Sequence, residues 1–258
     1  MATNAEIAMM FQDINCKLHS AKLYENDNRA ILIQWIYEVL YDKKFVKVTP
    51  CTHILQMTMI YVDAYAVKVD IDYDDIQLLG ATCLWIALKI TETRRFSVKE
   101  ICEYCDFAYE KEQFIEMEKN VCKVINWDFM SKKTMYENCI EAANLISPDI
   151  FPLFEDKIFK TVFLFFNDVI LFKTYFSVWD RKNVAITIIL LTVKFWNQKK
   201  KNNGETDIIN SLDFSKILDK AESINLLDCM IKSELEVCDM KYVRNSEILI
   251  PYLLKTVW

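Results

Sequence analysis

Asp74-Asp75-Ile76-Gln77-Leu78-Leu79-Gly80-Ala81-Thr82-Cys83-Leu84-Trp85-Ile86-Ala87-Leu88-Lys89-Ile90-Thr91 is the stretch that decides the fold. Ile76, Leu79, Cys83, Ala87 and Ile90 recur at three- and four-residue steps and make one apolar stripe of a helix. Ala81, Leu84, Trp85 and Leu88 make a second stripe. A helix apolar on two faces belongs at the centre of a bundle. Gly80 in its middle costs about 1 kcal/mol of helix propensity, so close approach of a neighbouring helix is the expected reason for it.

Outward from this centre, further helices follow. Pro50 and Thr52 open one over about 52–67, and Asn26-Asp27-Asn28 offers side-chain caps for one over about 29–41. Residues 5–18 read as a short amphipathic helix. Downstream, the periodicity predicts helices near 97–105 and 110–126. The pattern then recurs, with helices near 132–146, 151–172, 178–197, 212–220 and 222–239. Ala185 to Val193 followed by Lys194 echoes Ala81 to Leu88 followed by Lys89. The second set carries a polar insertion, Lys199–Gly204, read as a solvated loop. The expectation is an all-α chain with a short N-terminal helix and two tandem five-helix bundles joined near 130.

Composition agrees. The 258 residues include only two glycines, Gly80 and Gly204, and four prolines. Average glycine usage is about 7 %, and sandwiches, barrels and phosphate-cradling folds need glycine at their turns. The net charge of −6 disfavours a nucleic-acid binder, which would show a basic face. Nine cysteines, an odd number on a long chain, and several of them on apolar stripes, read as reduced thiols of an intracellular protein, nuclear or cytoplasmic. The N-terminus lacks a signal-peptide pattern, and the longest apolar stretch is about half of the ~20 residues that a membrane span needs. No membrane association is expected.

An enzyme is not expected either. His19 and His53 are the two histidines, and neither stands in a metal or triad motif. There is no GxSxG and no Gly-rich phosphate loop. Cys102-Glu103-Tyr104-Cys105 is a lone CxxC, and a structural zinc site needs four ligands. Two cysteines three apart on a short helix read as core. No metal or cofactor is implied.

A few ionisable residues fall on otherwise apolar faces. Glu118 shares a helix face with Phe114, Val121, Cys122 and Ile125. Lys89 lies one turn beyond Trp85 and Ile86. Asp63 lies beside Met59, Ile60, Ala66 and Val67, and Arg29 opens a helix continued by Leu32, Ile33 and Ile36. A charge on such a surface is costly unless paired. Either the four make two internal ion pairs that fix helix packing, or some of them are half-exposed and await another protein.

The order of residues resembles a cyclin box. Arg29-Ala30-Ile31-Leu32-Ile33-Gln34-Trp35-Ile36-Tyr37-Glu38-Val39 is similar to the family's R-A-I-L-x-D-W-L-x-E-V. Tyr61-Val62-Asp63 resembles Y-I-D, and Ile76-Gln77-Leu78-Leu79-Gly80-Ala81 resembles L-Q-L-x-G-x. Leu84-Trp85-Ile86-Ala87-Leu88-Lys89 resembles L-L-A-S-K. Met117-Glu118 with Val124-Ile125-Asn126-Trp127-Asp128 resembles M-E … V-L-x-F-D. The likeness is good over 5–130, and the later half shares only helix pattern and apolar placement. The resemblance implies an N-terminal helix and linker over 1–28, a first cyclin box over 29–130 and a second box-like domain over 131–258. A compact two-box chain also resembles virus-encoded cyclins, and frequent Ile, Asn and Lys would suit an AT-rich genome.

By this resemblance the chain is a non-catalytic regulatory subunit. It would form a heterodimer with a cyclin-dependent Ser/Thr protein kinase and activate it by holding the kinase's C-helix in the active position. Arg29 and Asp63 inherit the family's structural ion pair. Lys89 and Glu118 inherit the pair that hydrogen-bonds the kinase, with Ile90, Cys122, Trp127 and Phe129 as apolar contacts. Ile31, Leu32, Trp35, Glu38, Ile76 and Gln77 match a groove that docks R-x-L substrates or inhibitors in some cyclins. Departures are Asn28 in place of the groove's methionine, Gln34 in place of its aspartate, and Ile90-Thr91-Glu92 in place of F-E-E after the lysine. The rivals are a transcription-factor-IIB-like helical repeat, disfavoured by the acidic charge and the missing zinc ribbon, and a helical scaffold without a kinase.

Overall fold

The computed structural model describes residues 22–25, 27–41, 50–94, 96–172 and 181–202. The regular elements among these residues are all helices, with no strand, and the chain divides into two compact units between Thr134 and Met135. The helices expected at 5–18, 212–220 and 222–239 lie outside the described residues.

The first unit holds α1 (Asn28–Tyr41), α2 (Cys51–Ala66), α3 (Ile76–Thr91), α4 (Val98–Tyr104) and α5 (Lys111–Val124). Short 3-10 turns stand at Lys22–Tyr24 and Tyr73–Asp75. Helix α3 is the centre: it packs against α1, α2, α4 and α5, and every residue from Leu78 to Leu88 is buried. Its two apolar stripes are the cause. Gly80 has no room for a side chain, because a Cβ there would lie 2.4 Å from Leu32 Cδ1 of α1.

Capping fixes the peripheral helices. Ser97 and Glu100 form a reciprocal capping box at the start of α4, and at the start of α5 the Gln113 side-chain oxygen accepts from the Glu110 amide at 2.8 Å. Asn28 does not cap α1; its side-chain amide donates instead to the Lys22 carbonyl at 3.1 Å. Helices α4 and α5 end alike. Asp106 and Phe107 have φ of 49° and 56°, and Asn126 and Trp127 have 56° and 59°. In both, the second left-handed residue sends its amide back to a cysteine carbonyl: Phe107 to Cys102 and Trp127 to Cys122, each at 2.9 Å. Such six-to-one closure satisfies carbonyls at a helix end. It also turns Phe107 and Trp127 outward, 65 % and 70 % exposed.

The second unit holds α6 (Met135–Ile146), a 3-10 segment (Pro148–Glu155), α7 (Lys157–Phe172) and α8 (Arg181–Asn202). Helix α8 packs on α6 and α7. Phe154 meets Phe159 and Phe163 edge-on, at centroid distances of 5.1 and 5.0 Å. Two expectations are corrected here. The helix expected from 151 begins only at Lys157: Pro152 removes a backbone donor, and Asp156 Oδ1 accepts from the amides of Ile158 and Phe159 at 2.8 and 3.1 Å. The run Lys199-Lys200-Lys201 is not a loop but the last turn of α8. Lysine is a good helix former and no breaker precedes Gly204. Lys200 Nζ lies 3.6 Å from Asp156 and 5.5 Å from the Trp196 ring centre. Among the described residues no helix is long and apolar enough to cross a membrane.

Candidate functional site

The last turn of α3 runs from buried to solvated within two residues: Leu88 is fully buried, while Lys89 and Ile90 are exposed. Lys89 Nζ lies 3.6 Å above the Trp85 ring centre, a cation–π distance. The indole is itself fixed, because its Nε1 donates to the Phe96 carbonyl at 2.8 Å. From α5, Glu118 reaches the same amine and forms an ion pair with it. Phe114, Val121 and Cys122 on the same face of α5 are buried, which sets Glu118 at the edge of the core. The two side chains keep 33 % and 27 % of their surface, so the pair is closed yet reachable from solvent.

Trp127 extends this surface. Its amide closes α5 on Cys122 one turn below Glu118, and its ring meets Phe129 edge-on at 6.5 Å. Phe129, half-buried, meets Tyr61 edge-on at 5.3 Å. Cys122 is buried at 4 % exposure, and burial, then the nearby Glu118 carboxylate, push its thiol up. The structure thus gathers Lys89, Glu118, Ile90 and Trp127 as accessible groups, with Phe129 behind and Cys122 beneath.

Arg29 and Asp63 meet elsewhere in the unit. The guanidinium donates from Nε to Oδ1 at 2.9 Å and from Nη2 to Oδ2 at 2.8 Å. Burial by itself lowers the pKa of Arg29; the Asp63 charge, the hydrogen bonds to it and the nearby Tyr24 hydroxyl together outweigh burial and raise it. Tyr24 is the residue that sequence reasoning missed. Its hydroxyl donates to Asp63 Oδ1 at 3.0 Å, and burial, then the Asp63 charge, push its pKa far up. No motif marks Tyr24; its contact spans 39 positions of sequence.

The six groove positions separate by burial. Ile31 is 50 % exposed and Glu38 is exposed, while Trp35 and Gln77 are half-buried. Leu32 and Ile76 are buried, and Leu32 is spent on the contact with Gly80. Glu38 accepts from the Gln34 amide at 2.8 Å, one turn apart on α1. Among the described residues no three His, Cys, Asp or Glu converge as metal ligands, and Cys102 and Cys105 are free, buried thiols.

The family profile described as "Cyclin, N-terminal domain" matches residues 3–130. Cyclin-A1-4 of Oryza sativa subsp. japonica is 33 % identical over 113 residues, 44 % of this chain and 30 % of that protein. G2/mitotic-specific cyclin-B3 of Gallus gallus is 34 % identical over 102 residues, 40 % of this chain and 24 % of that protein. The matched stretch therefore spans less than a third of either relative. A viral cyclin from herpesvirus saimiri, known from an X-ray structure, superposes with a TM-score of 0.54 at 14 % identity, covering 86 % of this chain and 96 % of that one. That likeness shows the fold. Through the domain at residues 3–130, in which the paired Lys89 and Glu118 lie, the chain belongs to the cyclin family.

Proposed function

We propose that this chain is the regulatory subunit of a cyclin-dependent Ser/Thr protein kinase and activates it by holding the kinase's C-helix in the active position. The observation that carries the reading is the Lys89–Glu118 pair: a lysine and a carboxylate set between buried ridges, each about a third exposed, beside the exposed apolar Ile90 and Trp127. An amine and a carboxylate in that setting offer a donor and an acceptor to a partner's backbone, and apolar area for its side chains. Phe129 supports Trp127 from behind. Cys122 contributes shape from beneath.

The mechanism is a population shift. A protein kinase holds ATP productively only when its strand lysine pairs with its C-helix glutamate. A rigid helical partner that binds only the inward position of that helix favours the active state. Moving the balance from 1:99 to 99:1 takes about 5.5 kcal/mol of differential binding. On this reading the chain acts as a regulator and supplies no reacting group of its own. Residues 29–130 act as the first cyclin box and 131–258 as a second, box-like domain, following an N-terminal helix and linker over 1–28. The heterodimer works in the nucleus or cytoplasm, with no nucleic-acid or membrane partner. Docking of R-x-L substrates falls to Ile31, Trp35, Glu38 and Gln77, since Leu32 and Ile76 lack exposed surface.

The test is Lys89→Ala combined with Glu118→Ala. Helical circular dichroism and melting temperature should stay close to wild type, while histone phosphorylation by the co-purified kinase is lost. Full activation by the double variant would end the reading.

A further inference from the structure

The segment that leaves α5 runs back along α2, from its C-terminal end toward its N-terminal end. Three side chains of the α2 segment hold it. Lys68 Nζ donates to the Val124 carbonyl at 2.8 Å. Tyr61 Oη donates to the Phe129 carbonyl at 2.9 Å. His53 Nδ1 lies 3.0 Å from Thr134 Oγ1. His53 and Tyr61 stand eight residues apart on α2, near two helical turns, and Lys68 follows seven residues on, in the turn just past the end of the helix. Between His53 and Ala66, its last residue, the helix rises about 20 Å. The ten steps from Val124 to Thr134 cover it at about 2 Å each, between helical rise and that of an extended strand. The segment is a strap laid along the helix.

We infer that Tyr61, helped by Lys68 and His53, is a positioning residue that locks this strap and so presents Trp127 at the candidate kinase-binding surface. The inference rests on the proposed function for its purpose and on the hydrogen bonds for its geometry. Trp127 is the most exposed ring of the site, and its ring meets Phe129 edge-on. Phe129 is in turn fixed at both ends of Tyr61's reach, by the ring edge at 5.3 Å and by the hydroxyl on its carbonyl. Tyr61 is 2 % exposed and touches no partner directly, so its effect must pass through the strap. The strap's own bonds tighten the same point: Asp128 accepts from the Ser131 amide at 3.1 Å and from its hydroxyl.

Tyr61→Phe tests this, because it keeps the ring edge and removes only the hydroxyl. The chain is labelled with 5-fluorotryptophan, and Trp127→Phe assigns the Trp127 fluorine resonance. In Tyr61→Phe that resonance should move toward its position in the urea-unfolded chain while the other tryptophan resonances stay near wild type and the melting temperature falls by only the few degrees that one hydrogen bond is worth. With a purified cyclin-dependent kinase assayed on histone, half-maximal activation should need about fivefold more of the variant, the worth of one hydrogen bond. Activity at saturation should be unchanged. Lys68→Met should act in the same direction. An unmoved Trp127 resonance overturns the inference, and so does a moved resonance with unchanged half-activation. A merely structural role for Tyr61 would displace all the resonances and the melting temperature together, which also overturns it. If the wild-type chain activates no kinase, the proposed function fails, and the fluorine spectra alone decide whether Tyr61 positions Trp127.

Discussion

Leu32 of α1 lies so close to Gly80 of α3 that a Cβ at position 80 would stand 2.4 Å from its Cδ1 and 3.0 Å from its Cδ2. Leu32 is 4 % exposed, so its methyls cannot withdraw into solvent. Gly80→Ala therefore forces overpacking, at about 1–3 kcal/mol, against a propensity gain of about 1 kcal/mol. The net expectation is a loss of about 1 kcal/mol in urea unfolding. Leu32→Ala alone leaves a cavity at about 2–5 kcal/mol. In the double variant the new methyl fills part of that cavity, so the loss should fall short of the sum. Strict additivity would contradict the contact.

Arg29→Met removes the cation from a buried pair and leaves Asp63 and Tyr24 facing each other. Breaking a buried ion pair from one side costs about 3–5 kcal/mol. Asp63 keeps 32 % of its side-chain surface, which places this loss near the lower end. Tyr24→Phe removes one hydrogen bond and should cost about 1 kcal/mol. Thermal melts of the two variants should therefore rank Arg29→Met well below Tyr24→Phe. The reverse order would show that Asp63 is stabilised chiefly by the tyrosine.

Lys89 and Glu118 differ from that pair in being partly solvated. An exposed ion pair is worth about 0–1 kcal/mol. A double-mutant cycle on Lys89→Ala and Glu118→Ala should thus return a coupling below about 1 kcal/mol that shrinks further in high salt. A coupling of several kcal/mol would mean that the pair serves the fold rather than a partner.

The carboxyl of Asp128 is held below the ordinary aspartate range by the hydroxyl and then the amide of Ser131. Because its folded pKa is depressed, its contribution to stability is present above the unfolded value, near 4. It is lost as pH falls through the lower folded value. The stability difference between wild type and Asp128→Asn, read from urea midpoints, should be largest at neutral pH and vanish toward pH ~2. A difference that grows on acidification would invert the sign and refute the assignment.

Burial pushes the thiols of Cys83 and Cys139 far up, and that of Cys105 up to about 12. The thiolate is the reactive form. Iodoacetamide at pH 7.5 should therefore modify these three orders of magnitude more slowly in the folded chain than in urea. Peptide mapping that finds Cys83 labelled at the unfolded rate would place it outside the core of α3.

The central helix was legible because both its faces are apolar and the period of 3.6 is written into 16 successive residues, Ile76–Thr91. Helices α4 and α5 were placed from periodicity near 97–105 and 110–126, and the structure begins them at Val98 and Lys111. Where local signals compete, legibility fails. Pro148 and Pro152 break a run whose apolar pattern otherwise continues into α7, and Lys199-Lys200-Lys201 is polar enough to pass for a loop while remaining helical. Within the site, Lys89 and Glu118 were visible as charges on apolar stripes. Tyr24 and Tyr61 were not, because a tyrosine on an apolar face is unremarkable until its hydroxyl finds an acceptor.

The sequence by itself determined which helices form in the first unit, which faces they bury, and that four charges lie where charge is costly. Those are consequences of spacing along one helix, and neighbours in sequence suffice to specify them. Only the tertiary structure decided who meets whom: Arg29 with Asp63 and Tyr24, Lys89 with Glu118 over Trp85, and Tyr61 with the carbonyl of Phe129. These contacts join residues 29 to 68 positions apart, apart from the ring one turn below Lys89. Chain periodicity carries no information about them. The packing of α3 against α1, α2 and α5 brings them together, and it does so through burial that is itself non-directional.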